Sequence, residues 1–480
     1  MKHKNYEKYF WYISIILFAS ILIIKLIQLS KMVYLYPSYD FSSHIVHLFF
    51  LKEYGFHGLA QNWYNGFIVL QDYPPLFSFL AYLFYSIIDN IQLAFYISFI
   101  GVIIIGFFGV YLLGKVLNIS IIKRLFLFFF FYANPITIPW FYIIGRVPEM
   151  LAWSLMFYLL AVLFYYKDKK LDKKFFIFLT MILTLILLAH LIVFILSLFL
   201  IFGLFLIKSN KERLKIIISL IITFLLSSFW SIDFIKNIGT IQYTPSTDIH
   251  ITEIIYSIVI PLTFLGILYL YINIKDLKKK ELLFYIPIVL IAILYLTHLF
   301  SYIPILKIIN SRTYGILLLI FSILLVFHIK LNKKAFKLIS INILIFSLII
   351  TIVSFIKYPI IDFPLYSEKN QEIIRLLPLI KDKFIIIEKD GSPINKHIYA
   401  YATIKYNLST SFGWIEDSEY FKNARDNLKK FINGEDCKGF NKMKEELKFK
   451  EIIAHESKCK FLKTCNLNQK EISGRYCLLK

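Results

Sequence analysis

Acidic residues are scarce in this sequence of 480 residues, which has 31 Asp and Glu against 53 Lys and Arg. The basic residues form no continuous surface with interleaved aromatic side chains, which argues against nucleic acid as a partner. They lie instead in short clusters between apolar runs, a pattern typical of the cytoplasmic loops of membrane proteins. Apolar residues make up 58% of the chain, more than in an average soluble domain. We therefore predict an α-helical polytopic membrane protein.

Cysteine is rare as well, and its positions indicate a compartment. No CxxC pair is present, and this absence argues against a zinc site. An even number of cysteines confined to one polar region predicts two disulfides, and disulfides place that region outside the cytoplasm. All four cysteines lie in the C-terminal tail: Cys437, Cys459, Cys465 and Cys477.

The basic clusters predict the membrane topology. They occupy 2–8, 115–124, 167–174, 208–215, 275–281 and 330–337, and each gap between them has room for two crossings. No cleavage site follows the first apolar run, so we expect an uncleaved anchor with a cytoplasmic N-terminus. The run 76–88 is too short to span and follows Pro74-Pro75, so we expect an interfacial helix in the first outer loop. About eleven transmembrane helices result, near 10–30, 91–114, 119–134, 150–166, 175–189, 191–207, 215–231, 252–273, 282–299, 313–329 and 338–357.

The sequence predicts two domains. Residues 1–357 form the transmembrane domain, whose first outer loop covers 31–90. Residues 358–480 form a small extracytoplasmic α+β domain, because their charges are mixed and their apolar patterns are short. Strands are predicted in 383–389, 451–457 and 474–480, and helices in 417–433 and 439–450.

One polar stripe in the first outer loop can carry chemistry. Asp40, His44 and His47 stand at i, i+4 and i+7, so a helix over 41–54 would align them on one face. A carboxylate and two imidazoles can bind a metal, accept a proton or hold a phosphate. A simpler interpretation makes Asp40 only the N-cap of that helix, with the two histidines as interfacial side chains.

Several motifs around this stripe carry a resemblance. The segment YDFSSHIVH after the first span, then Trp63-Tyr-Asn-Gly66 and Asp72-Tyr-Pro-Pro-Leu76, resembles the first outer loop of GT-C type glycosyltransferases. These include protein O-mannosyltransferases, oligosaccharyltransferases and lipid A aminoarabinose transferases. More narrowly, the chain is similar to archaeal and bacterial membrane proteins labelled with a "6-pyruvoyl-tetrahydropterin synthase related" domain. That similarity adds the segment from Gly145 to Glu149, His190 and Ser311-Arg312.

The resemblance implies a membrane glycosyltransferase, inverting in mechanism, that transfers a sugar from a polyprenyl-phosphate donor to a glycan, lipid or protein acceptor at the outer face. Membrane lipid would surround it. Asp40 would accept or orient the acceptor proton, assisted by His44 and Glu149. A divalent cation, Mg²⁺ or Mn²⁺, would be held by Asp40 and His44. The remaining implied contacts are Arg146, His190 and Arg312 on the donor phosphate, and Trp63 and Tyr73 toward the acceptor.

Departures from the family pattern and simpler interpretations keep alternatives open. The loop lacks a pair of adjacent acidic residues and the chain lacks a WWD-like motif, so metal dependence and peptide acceptors are not implied. Arg146 and Glu149 can form an ordinary ion pair, and Arg312 can anchor at the interface. The alternative function is a non-catalytic membrane protein, either a transporter of lipid-linked sugars or a scaffold that binds lipid carrier. A transporter should show inverted repeats, and the sequence shows none.

Overall fold

The computed structural model describes residues 2–30, 40–64, 66–134, 136–237, 251–275, 279–297, 299–302, 311–329, 368–393, 396–413 and 419–480. The predicted crossing 338–357 and the start of the first outer loop, 31–39, lie outside these residues. The membrane region is helical. Its α-helices are α1 (Lys2–Ser30), α2 (Phe41–Tyr54), α3 (Leu76–Ile88), α4 (Ile91–Val116), α5 (Ile121–Ala133), α6 (Val147–Tyr166), α7 (Lys173–Ala189), α8 (Leu191–Ile207), α9 (Asn210–Asn237), α10 (Ile251–Lys275), α11 (Lys279–Leu296) and α12 (Ser311–His328).

Several of these helices are long and apolar enough to cross a membrane. Among the described residues there are five: Tyr9–Ile27, Ile91–Val116, Val147–Tyr166, Asn210–Asn237 and Ile258–Lys275. A sixth candidate joins α5 to a π-helix, Ile138–Ile144. Shorter apolar helices accompany them, including α3 and α8. The prediction of a polytopic helical membrane protein is confirmed, whereas the count of eleven crossings stays a prediction.

Three of the predicted cytoplasmic loops, 167–174, 208–215 and 275–281, contact one another. Lys208 Nζ donates to the carbonyl of Lys167 over 3.1 Å, and Lys215 Nζ donates to the carbonyl of Leu171 over 2.6 Å. Lys167 Nζ also lies 3.4 Å from Glu281 Oε1. These contacts require the chain to reverse between α7 and α8, so the predicted helical hairpin is confirmed.

The first outer loop folds into a small structure of its own. The run 76–88 is helical as predicted, since α3 begins directly after Pro75 and has 13 residues. Before it, β1 (Leu59–Ala60) and β2 (Phe67–Ile68) pair in antiparallel fashion. At the far side of the loop, Trp230 of α9 donates its indole hydrogen to the Leu70 carbonyl over 3.1 Å. The loop is therefore held from several sides by packed elements.

The second outer loop is shorter than predicted. We expected a loop over 135–149 and a span from 150, yet the π-helix covers Ile138–Ile144 and α6 begins at Val147. The helix starts early because Pro148 suits a first helical turn, where its missing N–H is no loss. Glu149 consequently lies in the first turn of a membrane helix, which corrects its placement in a loop.

The C-terminal region contains a mixed four-stranded sheet. Its strands are β3 (Phe384–Ile387), β4 (Glu451–His455), β5 (Gln469–Ser473) and β6 (Tyr476–Leu479), in the spatial order β3-β4-β6-β5. Strands β3 and β4 are parallel, and the other pairs are antiparallel. Its helices are α13 (Glu368–Leu376), α14 (Lys396–Tyr406), α15 (Glu419–Asn433), α16 (Cys437–Leu447) and α17 (Glu456–Thr464). The α+β class is confirmed, with two disulfides that join Cys437 to Cys465 and Cys459 to Cys477.

The first outer loop packs into the core of this C-terminal region. Val46, Phe50 and Trp63 belong to the same buried cluster as the residues of β3 and β4. The Thr410 N–H donates to the Asn62 carbonyl over 3.0 Å, next to a β-bridge between Thr410 and Trp63. Burial of these apolar side chains favours a fixed contact between loop and C-terminal region.

Candidate active site

Asp40 stands at the start of α2, where backbone contacts fix it. Its N–H donates to the Ile144 carbonyl at the end of the π-helix over 2.8 Å, and its own carbonyl accepts from the His44 N–H. The carboxylate makes no capping hydrogen bond to α2. The simple N-cap interpretation is therefore wrong for the side chain, which is 18% exposed and directed elsewhere.

Arg146 forms an ion pair with that carboxylate. Its Nε lies 3.7 Å from Asp40 Oδ2, an ion pair longer than a hydrogen bond. The preceding Gly145 has a φ of +91°, and a Cβ there would lie 2.9 Å from the Phe41 nitrogen. Only glycine fits so close an approach. Gly145 thus brings Arg146 against the beginning of α2.

Glu149 is completely buried and accepts hydrogen bonds at both carboxylate oxygens. The Trp140 indole donates to Oε2 over 2.8 Å, whereas Oε1 accepts from the Trp153 indole over 3.3 Å and from the Thr313 hydroxyl over 3.0 Å. Arg146 Nη1 is 3.5 Å from Oε2. A carboxylate removed from water requires such donors. The donors around both oxygens thus hold the Glu149 carboxylate in one orientation.

Two arginine side chains lie near the indole ring of Trp140. The guanidinium carbon of Arg146 lies 4.0 Å from the centre of its indole, and that of Arg312 lies 5.1 Å from it. Cations over an indole are attracted by its negative face. The Trp140 indole thus brings Arg312 close to Arg146 and Glu149, from which it is distant in the sequence.

His190 completes this group from the tip of the α7–α8 hairpin. Its Nε2 lies 3.9 Å from Glu149 Oε2, and its ring is buried. Its backbone is extended, with φ of −163° and ψ of 117°, and this conformation interrupts the helix. The break allows the ring to face the carboxylate.

The two histidines of α2 lie beside the arginine group, outside the membrane-spanning helices. The Tyr73 ring is 5.5 Å from that of His44 and 5.8 Å from that of His47, and Phe67 stacks on His47. Burial lowers the pKa of His47 to about 4. Burial, helped by the charges of His47, Arg146 and His190, holds the pKa of His44 well below its ordinary value. Both imidazoles are therefore neutral at pH 7.

Solved structures with the same architecture include three membrane proteins. AglB, an oligosaccharyltransferase from Archaeoglobus fulgidus in complex with an inhibitory peptide and a dolichol-phosphate, aligns with a TM-score of 0.53 and 9% identity over 91% of this chain and 69% of its own. The Archaeoglobus fulgidus oligosaccharyltransferase in complex with Zn and sulfate aligns with a TM-score of 0.51 and 11% identity over 91% and 68%. Apo ArnT from Cupriavidus metallidurans aligns with a TM-score of 0.57 and 11% identity over 97% of both chains. The chain has a GT-C-like fold.

The identities are so low that this likeness shows the fold alone. The sequence matches no protein-family model and no curated protein. The resemblance to GT-C enzymes is thus confirmed at the level of fold. The narrower label of a pterin synthase related domain is not supported by these structures and stays a prediction.

Within the GT-C-like fold, most of the predicted site residues come together. Asp40, Arg146, Glu149, His190 and Arg312 are linked through Trp140 and the two ion pairs of Arg146. His44 joins them through α2, and Tyr73 through its contact with His44.

Trp63 does not belong to this group. It is 2% exposed and contacts Phe50 and Gly413, so the structure gives it a packing role between the first outer loop and the C-terminal region. The predicted contact of Trp63 with an acceptor has no exposed surface to support it. The indole is covered because the C-terminal region packs on the loop.

Three residues of the site were missed by sequence reasoning: Trp140, Trp153 and Thr313. Each donates a hydrogen bond to Glu149. Thr313 directly follows the predicted residue Arg312, whereas Trp140 stands six residues before the predicted residue Arg146. A buried acid needs several donors, and this rule could have directed attention to nearby Trp and Thr side chains.

The predicted metal site does not fit the donors that the structure provides. No group of three or more His, Cys, Asp or Glu side chains in the described part of the chain is arranged to hold a metal ion. Asp40 faces a guanidinium, and the oxygens of Glu149 face the N–H and O–H groups of neighbours. The described residues therefore offer no closed set of protein donors for such an ion.

Proposed function

We propose that this protein is an inverting membrane glycosyltransferase that transfers a sugar from a polyprenyl-phosphate donor to an acceptor at the outer face of the membrane. One observation carries the proposal. A partly exposed carboxylate, Asp40, lies beside the guanidinium of Arg146, which shares the Trp140 indole with the guanidinium of Arg312 in a GT-C-like helical fold. A phosphate and a nucleophile could meet there, next to apolar helices that accommodate a lipid chain.

The donor phosphate is the first group that this site would recognise. Guanidinium binds phosphate through paired N–H donors, and Arg312 with Arg146 presents two such groups at one indole. His190 adds an imidazole beside them. The two guanidiniums would stabilise the negative charge that grows on the phosphate as the sugar leaves.

Asp40 would act on the acceptor. The acceptor oxygen or nitrogen attacks the anomeric carbon, the bond from that carbon to the phosphate oxygen breaks, and its electron pair leaves with the phosphate. The acceptor loses a proton, which the Asp40 carboxylate receives or orients. Attack from the side opposite the phosphate inverts the configuration at the anomeric carbon. Glu149 contributes by holding Arg146 and His190 in place.

The proposed orientation places this site outside the cell. Three of the basic clusters, 167–174, 208–215 and 275–281, meet beyond the C-terminal end of α6, whereas Arg146 and Asp40 lie at its N-terminal end. Basic loops stay in the cytoplasm as a rule. We propose that the N-terminus is cytoplasmic and that residues 358–480 form an extracytoplasmic domain over the loop 31–90. A tag at the C-terminus should be accessible from outside intact cells, and a tag accessible only after lysis would contradict this topology.

The test of function compares Asp40→Asn with the unmodified protein in lipid nanodiscs. Radiolabelled polyprenyl-phosphate sugars and a membrane extract supply donors and acceptors. We expect transfer by the unmodified protein and a loss of about 100-fold or more in the variant, since a positioned base contributes that much. Glu53→Gln is the matched control, because Glu53 is an exposed acid on the same helix. Equal transfer by both proteins, or none by either, would contradict the proposal and favour a non-catalytic carrier-binding protein.

A further inference from the structure

We infer that Arg146 occupies the place of a catalytic cation, so that the transfer step at Asp40 proceeds without a divalent metal. The inference rests on the proposed function and deepens it. The guanidinium of Arg146 lies between two carboxylates. Nε faces Asp40 Oδ2 at 3.7 Å and Nη1 faces Glu149 Oε2 at 3.5 Å.

Glu149 is unsuited to a metal because its surroundings all donate hydrogen bonds. The hydrogens of Trp140 and Thr313 point at its oxygens. A cation placed on those oxygens would meet these hydrogens and would force the two donors away from a fully buried acid. Leaving buried donors without acceptors is unfavourable, because those groups have lost their hydrogen bonds to water. A metal would therefore bind at the expense of the contacts that shape the site.

Arg146 itself is fixed from several directions. Its guanidinium lies over Trp140, and Gly145 holds its backbone against Phe41. Displacing it would remove the only cation in ion-pair contact with Glu149 in the described part of the chain, apart from a protonated His190. Removing one partner of a buried ion pair is strongly destabilising. The guanidinium is thus a built component of the site.

The charges balance as they would with a divalent metal. Asp40 and Glu149 carry two negative charges, and Arg146 and Arg312 at the Trp140 indole carry two positive charges. A bound divalent cation would supply the same total. Arg146 then orients Asp40 toward the acceptor while the neighbouring guanidinium faces the donor phosphate. Arg146 is accordingly a positioning residue for Asp40 as well as a candidate for phosphate contact.

The first test measures metal binding and does not depend on activity. Full-length protein in nanodiscs, stripped with EDTA, is titrated with Mn²⁺ and the free ion is followed by electron paramagnetic resonance. We expect the unmodified protein and Asp40→Asn to give the same isotherm, with no site tighter than about 1 mM, the weak end of protein sites for such cations. A sub-millimolar site present in the unmodified protein and absent from Asp40→Asn would overturn the inference.

The second test uses transfer activity once it is established. Transfer in EDTA should stay within about twofold of transfer in Mg²⁺ or Mn²⁺, whereas metal-dependent enzymes lose nearly all activity. Arg146→Lys keeps the charge but loses the fork of donors, and we expect about tenfold lower kcat with a smaller change in KM. A loss in EDTA that Mn²⁺ restores would overturn the inference. Absence of transfer under every condition would contradict only the proposed function, because the Mn²⁺ titration still decides the metal question.

Discussion

Trp140 donates its indole hydrogen to Glu149 Oε2 over 2.8 Å, at the point where the π-helix meets the first turn of α6. The face of the same indole lies under the guanidinium of Arg146. One side chain therefore fixes the buried acid with its edge and the neighbouring cation with its face.

Replacing Trp140 by Phe should separate the two roles of the indole. Trp140→Phe keeps an aromatic face for Arg146 but removes the donor from a buried carboxylate. We expect the free energy of unfolding to fall by about 1–3 kcal/mol. Trp153→Phe is the matched control, because its donor contact is longer at 3.3 Å, and it should cost less. Thermal unfolding in nanodiscs measures both, and equal or reversed losses would contradict the assigned role of Trp140.

The buried histidine His47 should make stability depend on pH. The folded protein protonates it only near pH 4, whereas an unfolded chain does so near pH 6.5. Unfolding therefore takes up a proton between pH 4 and pH 6.5. The stability that neutral His47 contributes is fully present above pH 6.5 and is lost as the pH falls toward 4. Between these two pH values the free energy of unfolding changes by about 1.4 kcal/mol per pH unit.

The measurement is thermal stability from pH 7 to pH 4.5. His47→Gln should show a shallower loss than the unmodified protein, because the titrating group is gone. His455→Gln removes a histidine from the C-terminal region, where the ring is only half-buried, and serves as control. If the curves of the unmodified protein and His47→Gln stay parallel over this range, burial of His47 does not set the pH dependence.

The two disulfides should stabilise the C-terminal region. Cys437–Cys465 and Cys459–Cys477 close loops with separations of 28 and 18 residues. Closing a loop of that length lowers the conformational entropy of the unfolded chain, which raises the free energy of unfolding by about 3–4 kcal/mol for each disulfide. A double substitution of either pair by Ser should lower the unfolding temperature of this region, and peptide mapping without reductant should recover both linkages. Recovery of free thiols from freshly purified protein would contradict the pairing.

Gly413 should be intolerant of a side chain. A Cβ at this position would lie 2.4 Å from the Trp63 indole. We expect Gly413→Ala to loosen the contact between the first outer loop and the C-terminal region, at a cost of about 1–3 kcal/mol for overpacking. Gly101→Ala is the control, since nothing lies within 4 Å of a Cβ there. Limited proteolysis should cut the first outer loop and the C-terminal region faster in Gly413→Ala than in the unmodified protein. Equal rates for the unmodified protein, Gly413→Ala and Gly101→Ala would refute this contact.

The sequence by itself determined the class of the protein and much of its local structure. Apolar runs of sufficient length predicted membrane helices, and the basic clusters predicted which loops share one end, as Lys167, Lys208 and Glu281 show. The strands at 384–387, 451–455 and 476–479 followed from short apolar patterns. These signals are local, because hydropathy, helix periodicity and loop charge are each read within one segment.

Only the tertiary structure decided how the site is assembled. Thr313 meets Glu149 across a sequence separation of 164 residues, Arg146 reaches back to Asp40, and the C-terminal region covers Trp63. Strand β5 was missed because its polar, mostly exposed residues show no pattern and it forms by pairing with β6 at the sheet edge. Such contacts depend on how helices and strands pack against each other, and packing between distant segments leaves no periodic mark in either segment.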